Sequence, residues 1–126
     1  IKAGNDLVAF RSNENKSFIY NCRISSGKIS KIHVLGSFCL IDQDEIDWKL
    51  IALNADIFSK EEAENYLKVE NNQKRIKEIM KWFKIYKTYE GKKENIILDN
   101  DKIFSKEETK DIIKENHHYY LGSLKK

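Results

Sequence analysis

The chain has 126 residues, a net charge of +3 and a charged fraction of 34%, which together are typical of one polar globular domain. A chain of this length can bury a hydrophobic core without disulfides or structural metals. No run approaches the roughly 18 apolar residues of a membrane span. The positive charge is too small to indicate nucleic acid, so we expect neither a membrane nor a nucleic-acid partner.

The first half of the chain, residues 1–56, predicts β-strands, because apolar or alternating runs are separated by turn residues. These runs cover residues 6–10, 17–24, 29–41 and 46–53. Gly36 interrupts the longest run, so we expect a bulge or a close approach of another segment there. Cys22 and Cys39 lie in these runs without CxxC spacing, which predicts buried, reduced thiols in a cytoplasmic protein.

The second half, residues 57–126, predicts helices. Ser59 and Ser105 each begin a Ser-Lys-Glu-Glu string, which is a capping box with a phenylalanine in the staple position before it. Apolar residues between the two boxes repeat at helical spacing, and we therefore expect helices over residues 72–87 and 105–121. These apolar residues are Ile76, Ile79, Met80 and Phe83. Residues 93–102 are polar and predict a loop, so the whole chain predicts one α+β domain with two or three helices on an antiparallel sheet.

A dense acidic segment separates the last two predicted strands. Its charged residues are Asp42, Asp44, Glu45, Asp47 and Lys49. Two strands would present this turn on a rigid scaffold, where carboxylates can bind a hard divalent cation and a lysine can bind an anion. The turn therefore indicates a metal–phosphate site. A solvated polar turn joining two strands is the alternative, and the local sequence leaves both open.

A row of lysines on the 72–87 helix offers a different function. These residues are Lys74, Lys77, Lys81 and Lys84. With Trp82 and Tyr89 as stacking platforms, they could bind nucleic acid. No glycine-rich or RNP-like segment accompanies them, however, and a solvated helix face explains the same pattern.

Four segments stand in an order that is typical of one protein family. Residues 35–49 are similar to an L-G…D-x-G-E-x-D-W-K motif, and residues 82–87 are similar to a W-F-x-I-Y-K motif. Residues 91–95 are similar to G-K-P-E-N, and residues 111–117 to the last helix of the same family. Together these segments resemble the soluble inorganic pyrophosphatases of the eukaryotic type, family I, over most of the chain.

The resemblance implies an OB-like antiparallel β-barrel, incomplete here, and Mg²⁺-dependent hydrolysis of pyrophosphate to two phosphates. It implies that Asp42 and Asp47 bind metal. It also implies that Lys49, Tyr86 and Lys87 are catalytic residues that bind the substrate. Under this hypothesis the five side chains converge on one cleft, with Mg²⁺ as the cofactor and pyrophosphate or phosphate as the ligand.

The chain also departs from the family pattern. The family's D-x-D-P-x-D metal motif falls on residues 4–9, where Asp6 is retained and two carboxylates are replaced by Gly4 and Ala9. Asp44 occupies the position of a turn glycine. The family's N-terminal half has no counterpart here. We therefore expect a C-terminal part of a pyrophosphatase-type protein that is weakly active or inactive alone, and that forms a homo-oligomer or associates with the missing N-terminal part.

Two other functions remain open at this point. Loss of two expected carboxylates would also suit a non-catalytic pyrophosphatase-like scaffold or oligomerisation domain. An OB-like barrel could instead bind polyphosphate or nucleic acid, in which case its binding would depend steeply on salt concentration.

Overall fold

The structure is a computed structural model that describes residues 19–25 and 28–124. Three strands come first, β1 (Ile19–Ser25), β2 (Lys28–Asp42) and β3 (Glu45–Asn54), followed by helices α1 (Lys60–Tyr66) and α2 (Glu70–Ile85). A 3-10 turn (Thr88–Glu90), a short strand β4 (Ile96–Ile97), a helical turn α3 (Leu98–Asp101) and helix α4 (Lys106–Leu124) complete the chain. The predicted strand over residues 6–10 lies outside the described residues, as does Asp6.

The long strand β2 is the centre of one antiparallel sheet. Its first part pairs with β1, and residues 32–42 pair with β3. Strand β4 pairs with Leu40 and Ile41 on the edge opposite β3, because both residues also pair with β3. The three predicted strands that lie within the described residues are confirmed to within two residues at either end.

The structure shows both a bulge and a close approach of another segment at Gly36. The register between β2 and β3 shifts between Val34 and Gly36, which is a bulge. A Cβ atom on Gly36 would lie 2.5 Å from the carbonyl oxygen of Phe104, so a second segment also approaches closely. Ser37 and Phe104 exchange backbone hydrogen bonds of 3.2 and 2.7 Å. Both predictions for this position are confirmed, and they place the start of α4 against the central strand.

The core lies between the sheet and α2. The helical spacing predicted from sequence is confirmed, since Ile76, Met80 and Phe83 are buried on one face of α2. They pack against the sheet, where Phe38 and Leu40 of β2 are buried. The rings of Phe38 and Phe83 lie 5.8 Å apart at a tilted angle. This packing fixes the end of α2 next to the end of β2.

The second face of β2 contacts α4. Ser37 and Thr109 are both completely buried and share a side-chain hydrogen bond of 2.8 Å. Both predicted capping boxes are present, since Glu62 and Glu108 each receive and return a hydrogen bond with the serine three residues before. The predicted α+β class is therefore confirmed.

The predicted loop over residues 93–102 is wrong in its middle. Ile96 and Ile97 pair with β2 as strand β4, and Asp99, Asn100 and Asp101 form a turn with positive φ angles of 57°, 55° and 62°. Two apolar residues are too few to show a strand period. Asp and Asn are also the residues that tolerate left-handed backbone best after glycine.

Cys39 is buried and free, as predicted. Burial raises the pKa of its thiol, and the charges of Asp47 and Asp99 add to this effect. The predicted burial of Cys22 concerns a side chain outside the described part of the structure. None of the helices in the described part of the chain has both the length and the apolarity needed to cross a membrane.

A partly exposed apolar row crosses the end of the sheet. Ile41 pairs with Ile46 on one side and with Ile96 on the other, so the three side chains share one face. The exposed fractions of Ile46 and Ile96 are 70% and 64%. This apolar row lies on the face opposite Asp42, because successive strand residues point to opposite faces.

Candidate metal–phosphate site

The acidic turn is a two-residue hairpin connection. Gln43 and Asp44 have φ angles of 51° and 73°, the left-handed values that the favoured hairpin turns require at both central positions. Leu40 pairs with Asp47, and Asp42 pairs with Glu45. Paired residues share a face, as do residues two apart, so Asp42 and Asp47 lie on the same side of the sheet as α2.

The first group of this site joins the turn to the end of α2. The Tyr86 hydroxyl donates to Asp42 Oδ2 at 2.5 Å, and Lys87 Nζ donates to Asp42 Oδ1 at 2.7 Å. The exposed fractions of the Asp42 and Lys87 side chains are 11% and 27%. Asp42 is therefore a mostly buried carboxylate with a donor on each oxygen.

The second group lies on β3. Lys49 Nζ is 2.9 Å from Asp47 Oδ2 and 5.1 Å from the centre of the Phe83 ring. The Tyr86 ring also packs on Phe83, edge to face, at 5.7 Å. The Phe83 ring therefore contacts both groups. We call the two groups together the carboxylate–lysine cluster, which comprises Asp42, Asp47, Lys49, Tyr86 and Lys87.

The charge states within the cluster follow from these contacts. Burial favours neutral Asp42, but the hydrogen bonds from Lys87 and Tyr86 and the charges of Lys87 and Lys49 outweigh it and lower its pKa. Burial and the hydrogen bond to Asp42 raise the pKa of the Tyr86 hydroxyl. The hydrogen bond to Asp42 raises the pKa of Lys87. At neutral pH the cluster therefore holds a carboxylate, a neutral hydroxyl donor and an ammonium.

The structure brings together the five predicted site residues that it describes. Asp42, Tyr86 and Lys87 are in direct contact, and Lys49 both binds Asp47 and acts electrostatically on Asp42. Their binding and catalytic roles remain predictions, as does that of Asp6, which lies outside the described residues. The solvated-turn alternative does not account for the burial of Asp42.

Sequence reasoning missed a role for Asn95. It is buried, and its Oδ1 accepts hydrogen bonds from the backbone N–H of Gln43 at 3.2 Å and from Gln43 Nε2 at 2.8 Å. Asn95 ends the segment that is similar to G-K-P-E-N and directly precedes the apolar pair Ile96 and Ile97. Such a signal does not predict a partner 52 residues away.

The donor set fits a hard divalent cation. Carboxylate oxygens suit Mg²⁺, which keeps several waters and is bound through one or two carboxylates together with substrate phosphates. Asp42 and Asp47 supply two such carboxylates. In residues 19–25 and 28–124, no three His, Cys, Asp or Glu side chains are grouped to hold a metal. The described cluster therefore fits a hard divalent cation, such as Mg²⁺, bound jointly with phosphate, and it does not fit an all-protein metal cage.

Known proteins are similar to this chain in sequence and in fold. A family model described as inorganic pyrophosphatase matches residues 18–121. A probable inorganic pyrophosphatase of Plasmodium falciparum is 34% identical over 96 residues, which are 75% of this chain and 25% of that protein. The human inorganic pyrophosphatase is 36% identical over 115 residues, which are 83% of this chain and 38% of that protein.

A solved structure agrees with these relatives. The inorganic pyrophosphatase from Schistosoma japonicum superposes with a TM-score of 0.69 at 34% identity, over 77% of this chain and 35% of that one. The predicted OB-like α+β fold is thereby confirmed. The chain spans only about a quarter to two fifths of the length of these relatives. The chain belongs to the inorganic pyrophosphatase family.

Proposed function

We propose that this chain contributes a pyrophosphate-binding part of a Mg²⁺-dependent inorganic diphosphatase. The observation that carries the proposal is Asp42 held between the Tyr86 hydroxyl and the Lys87 ammonium, with the Asp47–Lys49 pair on the same face. Family membership supports the same reaction. The proposed domain comprises residues 1–126.

The roles follow from the chemistry of each group. Asp42 and Asp47 would hold Mg²⁺, which supplies positive charge against phosphoryl oxygens and lowers the pKa of a coordinated water. Lys49 and Lys87 would then exchange their carboxylate partners for phosphate oxygens, and Tyr86 would donate its hydroxyl proton in a hydrogen bond. Asp6 is proposed as a further metal ligand on the resemblance alone, since the family match begins at residue 18.

We further propose that the 126 residues alone bind pyrophosphate weakly and cleave little of it. Cleavage in this family is expected to need several metal ions, because each one neutralises part of a highly charged transition state. The two carboxylates of the described cluster match one or two Mg²⁺ ions, because each ion is bound through one or two carboxylates. A second copy of the chain, or a further segment such as the relatives carry, would supply the rest. The apolar row of Ile41, Ile46 and Ile96, in which Ile46 and Ile96 are exposed, supports such association. We propose a cytoplasmic location for the protein.

A non-catalytic scaffold or oligomerisation domain is the second candidate function. The same apolar row favours it, as does the fact that both cluster carboxylates already have lysine partners. Pyrophosphate binding separates the two candidates, because a scaffold has no need of Mg²⁺-dependent pyrophosphate affinity.

Phosphate release tests the proposal on activity. With pyrophosphate and millimolar Mg²⁺, we expect the chain to release little or no phosphate while calorimetry detects Mg²⁺-dependent pyrophosphate binding. Asp47→Asn should weaken that binding, whereas Asp56→Asn, beyond the far end of β3, should not. Robust turnover that Asp47→Asn abolishes would contradict the weak-activity proposal. No pyrophosphate binding by the unmodified chain would favour the scaffold.

A further inference from the structure

Asn95 connects the acidic turn to the last turn of α2. Its Oδ1 accepts both the Gln43 backbone N–H and Gln43 Nε2. Its Nδ2 donates to the Phe83 carbonyl oxygen at 3.0 Å, and its backbone N–H donates to the Lys84 carbonyl oxygen at 2.8 Å. The exposed fraction of Asn95 is 5%. One buried residue thus makes four hydrogen bonds to two segments that meet at the site.

These bonds require an amide side chain. Oδ1 faces two donors and Nδ2 faces a carbonyl oxygen, so only an acceptor and a donor on one short side chain satisfy all three groups. The carbonyls in the last turn of a helix run out of intrahelical partners, and Asn95 supplies donors to two of them. Truncating the side chain would remove the bonds to the turn and to the Phe83 carbonyl oxygen, whereas the backbone bond to the Lys84 carbonyl oxygen would remain.

The neighbours of these contacts are the proposed ligand-binding residues. Asp42 directly precedes Gln43, and Tyr86 and Lys87 follow Lys84 by two and three residues. We infer that Asn95 is a positioning residue, which holds the acidic turn against the end of α2 so that Asp42 meets the Tyr86 hydroxyl and the Lys87 ammonium. The consequence of this inference for ligand binding rests on the proposed function.

An outer ion pair does not replace this buried link. Lys93 Nζ lies 3.0 and 3.1 Å from the two carboxylate oxygens of Asp44, but the exposed fractions of the two side chains are 64% and 81%. Solvent screens such a pair and side-chain entropy opposes it, so it contributes little. Asn95 is therefore the buried side chain that links the backbone of the turn to the backbone at the end of α2.

The NMR signals of the Tyr86 ring report on its hydrogen bond to Asp42. A general loss of stability would not shift these signals in the folded protein. Asp42→Asn first defines how the Tyr86 signals shift when its charged acceptor is lost, and Tyr86→Phe assigns them. We expect Asn95→Ala, without metal, to shift the Tyr86 signals in the same direction as Asp42→Asn. Asn72→Ala is the matched control, because Asn72 Nδ2 makes a similar bond to the Tyr66 carbonyl oxygen at 3.0 Å. It should leave the Tyr86 signals unchanged.

The ligand-binding arm uses pyrophosphate with Mg²⁺. Partners that orient a metal ligand typically contribute about 10- to 100-fold in affinity, so Asn95→Ala should weaken binding about tenfold. If the unmodified chain binds no pyrophosphate, the proposed function fails, but the tyrosine signals still decide the role of Asn95. Unchanged Tyr86 signals in folded Asn95→Ala would overturn the inference.

A second variant keeps the inference falsifiable if Asn95→Ala does not fold. Gln43→Ala removes only the hydrogen bonds of the half-exposed Gln43 side chain to Asn95 and to the Lys93 carbonyl oxygen. It should shift the Tyr86 signals in the same direction by a smaller amount. If the Tyr86 signals do not shift in Gln43→Ala and Asn95→Ala is unfolded, then Asn95 is needed for folding and does not position Asp42. This result would overturn the inference.

Discussion

Replacement of Asp42 by Asn is expected to abolish most Mg²⁺-dependent pyrophosphate binding. The substitution keeps the size of the side chain but removes the charge that would bind the metal and that holds Lys87. Even groups behind the metal ligands typically contribute about 10- to 100-fold in affinity, so loss of a direct ligand should cost at least about 100-fold. Isothermal titration of pyrophosphate in the presence of Mg²⁺ measures this change.

Asp56→Asn is the matched control for this experiment. It makes the same chemical change at an exposed aspartate beyond the other end of β3, ten residues of strand away from the turn. It should leave pyrophosphate affinity unaltered. If Asp42→Asn and Asp56→Asn have equal affinities, Asp42 does not contribute to a metal–phosphate site.

Replacement of Phe83 by Ala is expected to cost about 3–5 kcal/mol of unfolding free energy, as for other buried phenylalanines. Phe83 is only 4% exposed, packs against Phe38 and contacts both Lys49 and Tyr86. The free energy of unfolding of a domain is about 5–15 kcal/mol, so this loss is a large share of the total. Urea unfolding followed by circular dichroism measures it.

The exposed residue Ile57 provides the comparison. Its side chain is 71% exposed, so Ile57→Ala should change the unfolding free energy by no more than about 0.5 kcal/mol. Phe83→Leu should fall between the two, because it retains part of the buried volume. If Phe83→Ala lowers the free energy of unfolding no more than Ile57→Ala does, then packing against Phe83 does not support the cluster.

The elements that were predictable from sequence are those with a local signal. Helix α2 is marked by four apolar residues at helical spacing, and Ser59 and Ser105 begin capping boxes that the structure contains. Gly36 was detectable because a glycine inside an apolar run usually marks a bulge or a close contact. Strand β4 was missed because two residues carry no period, and its pairing with Leu40 is long-range.

The site was only partly predictable for the same reason. The four carboxylates of the acidic turn were visible as a local pattern, but Tyr86 is 44 residues from its partner Asp42. Only the family resemblance connected them, and it did not predict that Tyr86 and Lys87 would each take one oxygen of that carboxylate. The role of Asn95 depends on three segments at once, which no local pattern records.

Paramagnetic relaxation by Mn²⁺ tests most directly where the chain holds a divalent metal. Mn²⁺ and Mg²⁺ share a preference for carboxylate and water oxygens, so Mn²⁺ can stand in for Mg²⁺ while broadening the signals of nearby nuclei. With pyrophosphate present, we expect the amide signals of Gln43, Asp47 and Lys87 to broaden first. Broadening centred instead on the separate turn that contains Asp99 and Asp101, or spread evenly over the chain, would contradict a metal–phosphate site at the carboxylate–lysine cluster.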